Sequence, residues 1–242
     1  MVLKVVRMRG GQLKKDKKLF LIMAESEIEL IPEELHHYSV VKKYAQSRGK
    51  KPSRLLLDSS FHHRAMRLAE LPDLQRRGRP DILHTCLLFA LDSPLNKKGH
   101  LQIYVHTRED KVIWINPVER LPKNYIRFCA LIEQLYEEGV ISTKKGEELL
   151  RIEDKTLKAL LEELDSWNVV FWEEGKKVDL VKFFKENIEK RIAVIVGVFP
   201  HGDFKKALDL ADETVSIGRD KFAASTIVAK AVFSYEMALK GS

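Results

Sequence analysis

The chain has 242 residues, of which 45% are hydrophobic and 32% charged, so it is long enough to bury an ordinary core as one domain. No apolar run approaches the roughly 18 residues that span a bilayer, and the first residues lack the apolar region of a signal peptide. We therefore expect a cytoplasmic protein without a membrane partner. Cys86 and Cys129 both lie in apolar helical patterns, which favours buried, reduced thiols over a disulfide, a zinc site or a catalytic role.

Positive charge is concentrated in the first third of the chain. The net charge is +7, yet residues 1–80 alone contain 18 lysines and arginines against 9 acidic residues. The remaining residues contain 24 against 26. This asymmetry fits a polyanionic partner, because cationic side chains that contact phosphates release counterions. Charge alone is equally compatible with a lysine-rich solvated surface.

The first elements alternate between strand and helix patterns. Residues 18–26 (KLFLIMAES) have the pattern of a buried strand, and a helix is predicted from about Pro32. A basic link (KKYAQSRGKKPSR) follows at 42–54. A second short strand is predicted at 55–60 (LLLDSS), and it leads into a helical pattern at 61–70.

The middle of the chain begins with a strongly apolar helix within 74–94, preceded by a glycine and a proline and ended by Asp-Ser-Pro. Two segments that alternate apolar and polar residues, 100–107 and 111–117, flank the turn REDK and predict a β-hairpin. From about 124 to 190 apolar residues recur at steps of three and four. This region is predicted to be helical packing material.

The last section returns to alternating strands and helices. Strands are predicted within 191–204 and at 213–217, and a long helix is predicted at 221–239. Strand, turn and helix at this spacing predict an α/β protein with a largely parallel sheet.

Two loops in the last section are the candidate ligand site. Residues 197–203 and 217–221 follow predicted strands, and ligands of parallel α/β sheets bind where loops leave the carboxyl ends of strands. We expect two such loops at adjacent strand ends to share one ligand, although ordinary crossover turns would have the same composition. Their glycine spacing fits neither a dinucleotide fingerprint nor a P-loop. His201 has no second His or Cys nearby, so a turn or capping role is favoured over a metal ligand.

A first group of arginines precedes the apolar helix. Pro80 and Asp81 suit the first turn of a helix, since proline is pre-organised there and aspartate complements the helix dipole. Arg76, Arg77 and Arg79 cluster just before it. Guanidinium groups in this arrangement suit bidentate recognition of phosphate or a base edge.

A second group of cations follows the hairpin. Arg120, Lys123 and Arg127 are spaced by three and four residues, so they would share one face if the segment is helical. Tyr125 and Phe128 interleave with them. A solvated helix face would account for the three cations alone.

Long segments of this sequence resemble the Nep1 (Emg1) family of ribosome biogenesis proteins, in an archaeal-type version. They are RPDILHTCLLFALDSPLNKKGHLQIYVHT, INPVERLPKNYIRF, VGVFPHGDF and SIGRDKFAASTIVAKAVFSYE. The likeness covers residues 18–238 and its motifs are long and specific. It implies a methyltransferase of the SPOUT class and a homodimer.

The implied fold is α/β, with a SPOUT-like parallel sheet and a C-terminal trefoil knot, plus a hairpin and helical family-specific insertions. The resemblance implies one domain over residues 1–242, with the knotted, cofactor-binding part at about 191–240 and additions at about 42–54 and 140–190. The implied cofactor is S-adenosylmethionine, held by the two loops described above. The matching residues are Val196, Gly197, Gly202, Ile217, Gly218, Arg219, Phe222, Ala223 and Ala224.

The implied acceptor is N1 of a pseudouridine in a hairpin loop of small-subunit ribosomal RNA, with a role in the biogenesis of that subunit and contacts with its ribosomal proteins. Arg79 and Asp81 match the family's Arg-x-Asp pair and are the candidate catalytic residues. A carboxylate beside arginines is a feeble base, so we expect Asp81 to position Arg79 and the target base. Water or a backbone group would then take the N1 proton.

The implied RNA-binding residues are the two groups of cations. Arg120 and Arg127 match the family's RNA-contacting arginines, and Arg76 and Arg77 extend the group at Arg79. Lys123 stands where many members have arginine, which puts bidentate contact there in doubt because lysine is a point charge.

Two alternatives remain at this stage. A non-catalytic RNA-binding assembly factor would have no reason to keep the glycine loops, and a methyltransferase of another RNA such as tRNA fits the RPDILHTCLLFALDSP segment poorly.

Overall fold

One eight-stranded sheet runs through the computed structural model, which describes residues 18–218 and 220–241. The strands are β1 (Leu19–Ser26), β2 (Leu101–Thr107), β3 (Lys111–Ile115), β4 (Val140–Ser142), β5 (Glu148–Asp154), β6 (Trp167–Lys177), β7 (Ile192–Gly197) and β8 (Glu213–Ser216). The helices are α1 (Ser39–Ser47), α2 (Ser59–Leu68), α3 (Pro80–Asp92), α4 (Pro94–Lys97), α5 (Tyr125–Glu138), α6 (Leu157–Leu164), α7 (Leu180–Glu186) and α8 (Ala224–Lys240). Within the described ranges, no helix is long and apolar enough to cross a membrane.

The strands lie in the order β4-β5-β3-β2-β1-β7-β6-β8. The five strands from β2 to β8 in this order pair in parallel, as predicted, whereas β3, β5 and β4 extend the sheet in antiparallel pairs. β1 is buried along its whole length because helices cover both of its faces. The predicted hairpin is confirmed as β2 and β3.

Alternate residues of β1 divide the core into two layers. Leu19, Leu21 and Met23 pack on one side with α3, α5, α7 and α8. Phe20 and Ile22 face the other side, where α6 and parts of the neighbouring strands complete a smaller cluster. This division follows from the period of two along a strand.

The region 124–190 is not entirely helical, so that prediction was wrong in part. It contains α5, α6 and α7, but also β4, β5 and β6. β6 pairs in parallel with both β7 and β8, so the predicted addition at 140–190 includes a strand of the central sheet. The run Val169–Trp172 explains this, since β-branched and aromatic side chains pack well on a sheet.

Residues 31–71 form a separate small cluster, which we call the α1–α2 lobe. The strand predicted at 55–60 is wrong, because only an isolated bridge between Leu30 and Leu56 forms there. The link predicted at 42–54 contains the end of α1 and a short 3-10 helix, Pro52–Arg54. The buried apolar residues of the lobe are Ile31, Leu35, Val41, Ala45, Leu55, Leu57, Ala65, Met66 and Leu71.

Candidate active site

A cavity of about 220 Å³ lies at the carboxyl edge of β7, β6 and β8. The two predicted ligand loops leave β7 and β8, which are not adjacent as expected, because β6 lies between them. All three strands are parallel, so their carboxyl ends still meet at one edge. We call residues 198–207 the β7 loop and the described residues among 217–223 the β8 loop.

Two glycines shape the cavity by letting aromatic rings approach the backbone. A Cβ at Gly197 would lie 2.6 Å from Cε1 of Phe199 and 3.1 Å from Cε1 of Phe204. A Cβ at Gly218 would lie 3.0 Å from Cε2 of Phe222. A larger residue at either position would displace a ring. The β7 and β8 loops therefore supply aromatic walls that rest directly on glycine backbone.

Charged and polar groups complete the lining. β6 and the two loops each supply one carboxylate to the lining: Glu173, Asp203 and Asp220. Nζ of Lys221 lies 3.5 Å from Oε1 of Glu173. The hydroxyl of Ser216 donates to the carbonyl of Gly218 at 2.5 Å, which fixes the start of the β8 loop. The cavity thus combines apolar walls with groups that can hold both a cationic and an anionic part of a ligand.

Six of the residues predicted to hold the cofactor line this cavity. They are Gly197, Gly202, Ile217, Gly218, Phe222 and Ala224. Val196 is fully buried beneath the cavity, and Ala223 is exposed on the β8 loop. Arg219 lies outside the described residues. His201 is exposed at the cavity, and no group of three potential metal ligands occurs within 18–218 and 220–241.

β6 contributes lining residues that the sequence reasoning missed. Phe171 pairs with both Val196 and Val215, so the next residues, Trp172 and Glu173, reach the cavity. Val215 also pairs with Lys176, so 172–175 leave the ladder as an irregularity. The β-branched and aromatic run before Trp172 was the available signal for a strand.

Arg76 is not exposed for RNA contact, contrary to the prediction. Its guanidinium is 2.6 Å from both Glu25 and Glu27 in buried ion pairs, and it donates to the carbonyl of Asp203 at 2.6 Å. Its Cζ lies 3.7 Å from the ring centroid of Phe199. Arg76 therefore joins the carboxylates at the end of β1 to the β7 loop.

The side chain of Glu25 binds the backbone of the same loop. Its carboxylate accepts hydrogen bonds from the N–H groups of Lys205, Lys206 and Ala207, at 2.8–3.2 Å. Glu25 adopts φ 50°, which is uncommon for a residue other than glycine, and its own N–H donates to His106 Nδ1 at 3.3 Å. Burial lowers the pKa of His106, which favours the neutral ring that can accept this bond. We call Glu25, Glu27 and Arg76 the loop clamp.

Arg77 is likewise turned inward. Its guanidinium makes a two-bond fork with the buried carboxylate of Glu29, at 2.8 and 2.5 Å. Glu27, the partner of Arg76, also forms an ion pair with Arg108 at 2.6 Å. The arginines that looked like a phosphate-binding cluster are neutralised by acidic residues 48 to 51 positions earlier in the chain. Arg79 is the most exposed of the three, with 33% of its side chain accessible against 11% for Arg77 and 8% for Arg76.

Arg79 and Asp81 form a bidentate ion pair at the start of α3. Nε and Nη2 of Arg79 each donate to one carboxylate oxygen of Asp81 at 2.8 Å, and this bond raises the pKa of Arg79. Nη1 of Arg79 has no partner among the described residues. The backbone N–H of Arg79 donates to the carbonyl of Glu27 at 3.0 Å, which attaches this corner to the loop clamp.

Arg120, Lys123 and Arg127 are all exposed, and none makes an ion pair within the described chain. They do not share one helix face as the conditional prediction required, because Arg120 and Lys123 precede α5. The nearby prolines explain why the helix starts only at Tyr125. The two rings between these cations make contacts within the protein. Phe128 is buried against His84, and the hydroxyl of Tyr125 donates to Asp58.

Comparisons with known proteins agree with this architecture. The sequence model of a family described as EMG1/NEP1 methyltransferase matches residues 21–236. Proteins named ribosomal RNA small subunit methyltransferase Nep1 are 45% identical in Pyrococcus furiosus (91% of this chain, 97% of that protein) and 43% identical in Pyrobaculum aerophilum (91% and 98%). The crystal structure of Archaeoglobus fulgidus Nep1 bound to S-adenosylhomocysteine is similar with a TM-score of 0.82 and 34% identity, over 91% of this chain and 98% of that one. Because the family model matches most of the chain and relatives at 43–45% identity are covered almost completely, this chain belongs to the EMG1/NEP1 methyltransferase family.

Proposed function

We propose that this protein is an S-adenosylmethionine-dependent methyltransferase of small-subunit ribosomal RNA, and that its acceptor is N1 of a pseudouridine in a hairpin loop. The observation that carries the proposal is the glycine-backed aromatic cavity at the carboxyl edge of the sheet, in a chain whose structural neighbour is bound to S-adenosylhomocysteine. The protein would act in the cytoplasm, during biogenesis of the small ribosomal subunit.

The lining fits this cofactor chemically. Rings such as Phe199 and Phe222 suit the flat faces of adenine. Glu173 and Asp220 suit the positive charges of a sulfonium and an ammonium group, and Lys221 suits a carboxylate. When bound, the cofactor would supply an activated methyl group. The protein then has to hold the acceptor in line with that group, and such positioning contributes up to about 7–11 kcal/mol in well-oriented reactions.

The selectivity for pseudouridine follows from the acceptor. N1 of uridine forms the glycosidic bond, whereas pseudouridine is linked through carbon and keeps a free N1–H. Methyl transfer forms an N1–C bond, breaks an S–C bond and releases the N1 proton. Because Asp81 is engaged by Arg79 on both oxygens, we assign it a positioning role and assign the proton to water or a backbone group.

Four cations form the proposed RNA contacts. Nη1 of Arg79 can donate to a base or a phosphate while Asp81 holds the rest of the guanidinium. Arg120, Lys123 and Arg127 are exposed and lack acidic partners within 18–218 and 220–241. A hairpin loop suits such a site, because an unpaired base can be turned out of its stack and enter the cavity.

We also propose that the functional unit is a homodimer. α3 and α8 pack against each other and expose large apolar side chains, with Phe89 56% and Phe233 60% exposed. Burying such side chains in a symmetric interface removes apolar area from water, at about 25 cal/mol per Å². Sedimentation velocity of the wild type and of a Phe89→Asp/Phe233→Asp variant would distinguish a dimer from a monomer.

A C-terminal trefoil knot is part of the same proposal. Its support is the family membership and the strand order, in which the chain that leaves β7 has to cross β6 before it reaches β8.

The deciding experiment is methyl transfer from labelled S-adenosylmethionine to two synthetic hairpins of the small-subunit loop, one with pseudouridine and one with uridine at the target position. We expect label on the pseudouridine hairpin alone. Gly197→Ala protein is the matched negative control, because its cavity is narrowed while the RNA contacts stay. If both hairpins bind, the cofactor binds and neither hairpin is labelled, the protein is an RNA-binding assembly factor instead.

A further inference from the structure

Part of the surplus of positive charge in the first third of the chain lies on the α1–α2 lobe, which has eight lysines and arginines and four acidic residues over 31–71. Between residues 36 and 67 the sequence has eight lysines and arginines and one acidic residue, Asp58. Arg76 and Arg77, by contrast, are neutralised by buried glutamates. The proposed RNA contacts do not use the cations of the lobe.

Five of these eight cations have no acidic partner within 18–218 and 220–241. Arg48 and Lys50 pair with Glu133, and Arg54 pairs with Glu137. The exposed cations without an ion pair among the described residues are Lys42, Lys43, Lys51, Arg64 and Arg67. Their mutual repulsion opposes folding of the lobe and would be relieved by an anionic ligand.

An exposed ring lies among these cations. Phe61 on α2 is 40% exposed, and its other side stacks on Tyr44 of α1 with ring centroids 4.9 Å apart. Tyr44 is held in turn by Arg48, which donates to its hydroxyl at 2.9 Å. An aromatic ring held rigidly beside cations is a typical feature of surfaces that bind RNA, since bases and riboses pack on the ring while cations contact phosphates.

The lobe adjoins the proposed RNA contacts. Asp58, which caps α2, accepts from the hydroxyl of Tyr125 in the first turn of α5 at 2.5 Å. The N–H of Ser59 donates to the carbonyl of Gly78, next to Arg79, at 2.9 Å. α2 extends from this junction by about 15 Å, given its ten residues and about 1.5 Å per residue.

We propose that the α1–α2 lobe is a second RNA surface, which binds the sugar–phosphate backbone of the stem below the target loop. This inference rests on the proposed function for the identity of the RNA. Phe61 and the bidentate donors Arg64 and Arg67 favour RNA over an acidic protein as the partner.

The test compares two RNAs that carry the same pseudouridine loop, one on a minimal stem and one on a stem of about two helical turns. The variant is Lys42→Gln/Lys43→Gln/Arg64→Gln/Arg67→Gln. The four side chains are exposed and make no ion pair in the part of the chain that the structure describes, so the fold should persist. The matched control is Lys144→Gln/Lys145→Gln in the exposed turn between β4 and β5, at the far edge of the sheet. Fluorescence anisotropy at several salt concentrations gives the affinity and its salt slope.

For the long-stem RNA we expect binding at least tenfold weaker at low salt and a salt slope lower by about 1 for each lost phosphate contact. The minimal hairpin should bind and be methylated as by wild type, and the control should match wild type on both RNAs. Equal losses on the two RNAs, or wild-type binding of the long stem, would overturn the second surface. If the proposed function is wrong, the result differs, because wild-type protein then transfers no label to the minimal hairpin.

Discussion

Replacing Glu25 with glutamine should loosen the β7 loop and weaken cofactor binding. The amide keeps Oε1 for the N–H groups of Lys205 and Lys206, but it places an NH₂ group where Oε2 accepts from Arg76 at 2.6 Å. Removing one partner of a buried ion pair costs about 3–5 kcal/mol. Arg76 keeps Glu27, so we expect a cost near the lower end, about 3 kcal/mol.

Two assays separate the stability effect from the positioning effect. In a protein of this size about 3 kcal/mol corresponds to a fall in Tm of roughly 6–12 °C, measured by calorimetry. Titration with S-adenosylhomocysteine below the transition should show a Kd raised about tenfold, because the β7 loop forms one wall of the cavity. The matched control is Asp73→Asn, which removes an exposed partner of Lys205 and should cost less than about 1 kcal/mol.

Two results would refute this reasoning in different ways. If Glu25→Gln is as stable as Asp73→Asn, the buried carboxylate does not contribute as an ion-pair partner. If stability falls but the Kd for S-adenosylhomocysteine is unchanged, Glu25 supports the fold without positioning the loop.

Three further predictions concern the cavity, the lobe core and the RNA contacts. Gly197→Ala should weaken S-adenosylhomocysteine binding at least tenfold, because its Cβ would lie 2.6 Å from a phenyl ring, whereas Gly241→Ala, with nothing closer than 3.7 Å, should not. Burial lowers the pKa of His62 from 6.5 to about 4, so the unfolded chain binds more protons between these values and stability falls as pH drops through this window. Between pH 7 and 4, the free energy of unfolding measured in urea should fall by about 3 kcal/mol more for wild type than for His62→Gln. Equal decreases would contradict the lowered pKa of His62. Arg120→Ala should weaken RNA binding and lower the salt slope by about 1, with Lys144→Ala as control, and an unchanged slope would remove Arg120 from the interface.

Local patterns in the sequence predicted the elements whose signals are strong. β1 and β7 are strands of eight and six residues, each built on an apolar run and buried throughout or nearly so. α3 has proline at its start and Asp-Ser-Pro at its end. Gly197, Gly202 and Gly218 follow predicted strands, and this position indicated a ligand site; in the structure all three line the cavity. Both cysteines are buried as predicted, and burial raises the pKa of each thiol to about 12.

Pairing between distant segments could not be read from such patterns. The Arg-Arg-Gly-Arg run has the composition of a phosphate site, yet Arg76 and Arg77 bind glutamates at the end of β1 and just beyond it. Those glutamates are alternate residues of the segment ESEIE. Their spacing is visible in the sequence, but it predicts ion pairs only when β1 is known to lie beside Arg76. The fragment around Phe171 was assigned to helices because its apolar run is short and its partners, β7 and β8, come later in the chain.

The place of β6 in the sheet also bears on how the protein is made. During synthesis β6 emerges before either of its neighbours, and its outer edge stays unpaired until β8 arrives. An apolar strand with a free edge is a template for aggregation. Since β8 also brings the second wall of the cavity, protection of that edge and completion of the proposed cofactor site occur in the same late step. Cofactor present during refolding should therefore raise the yield of native protein.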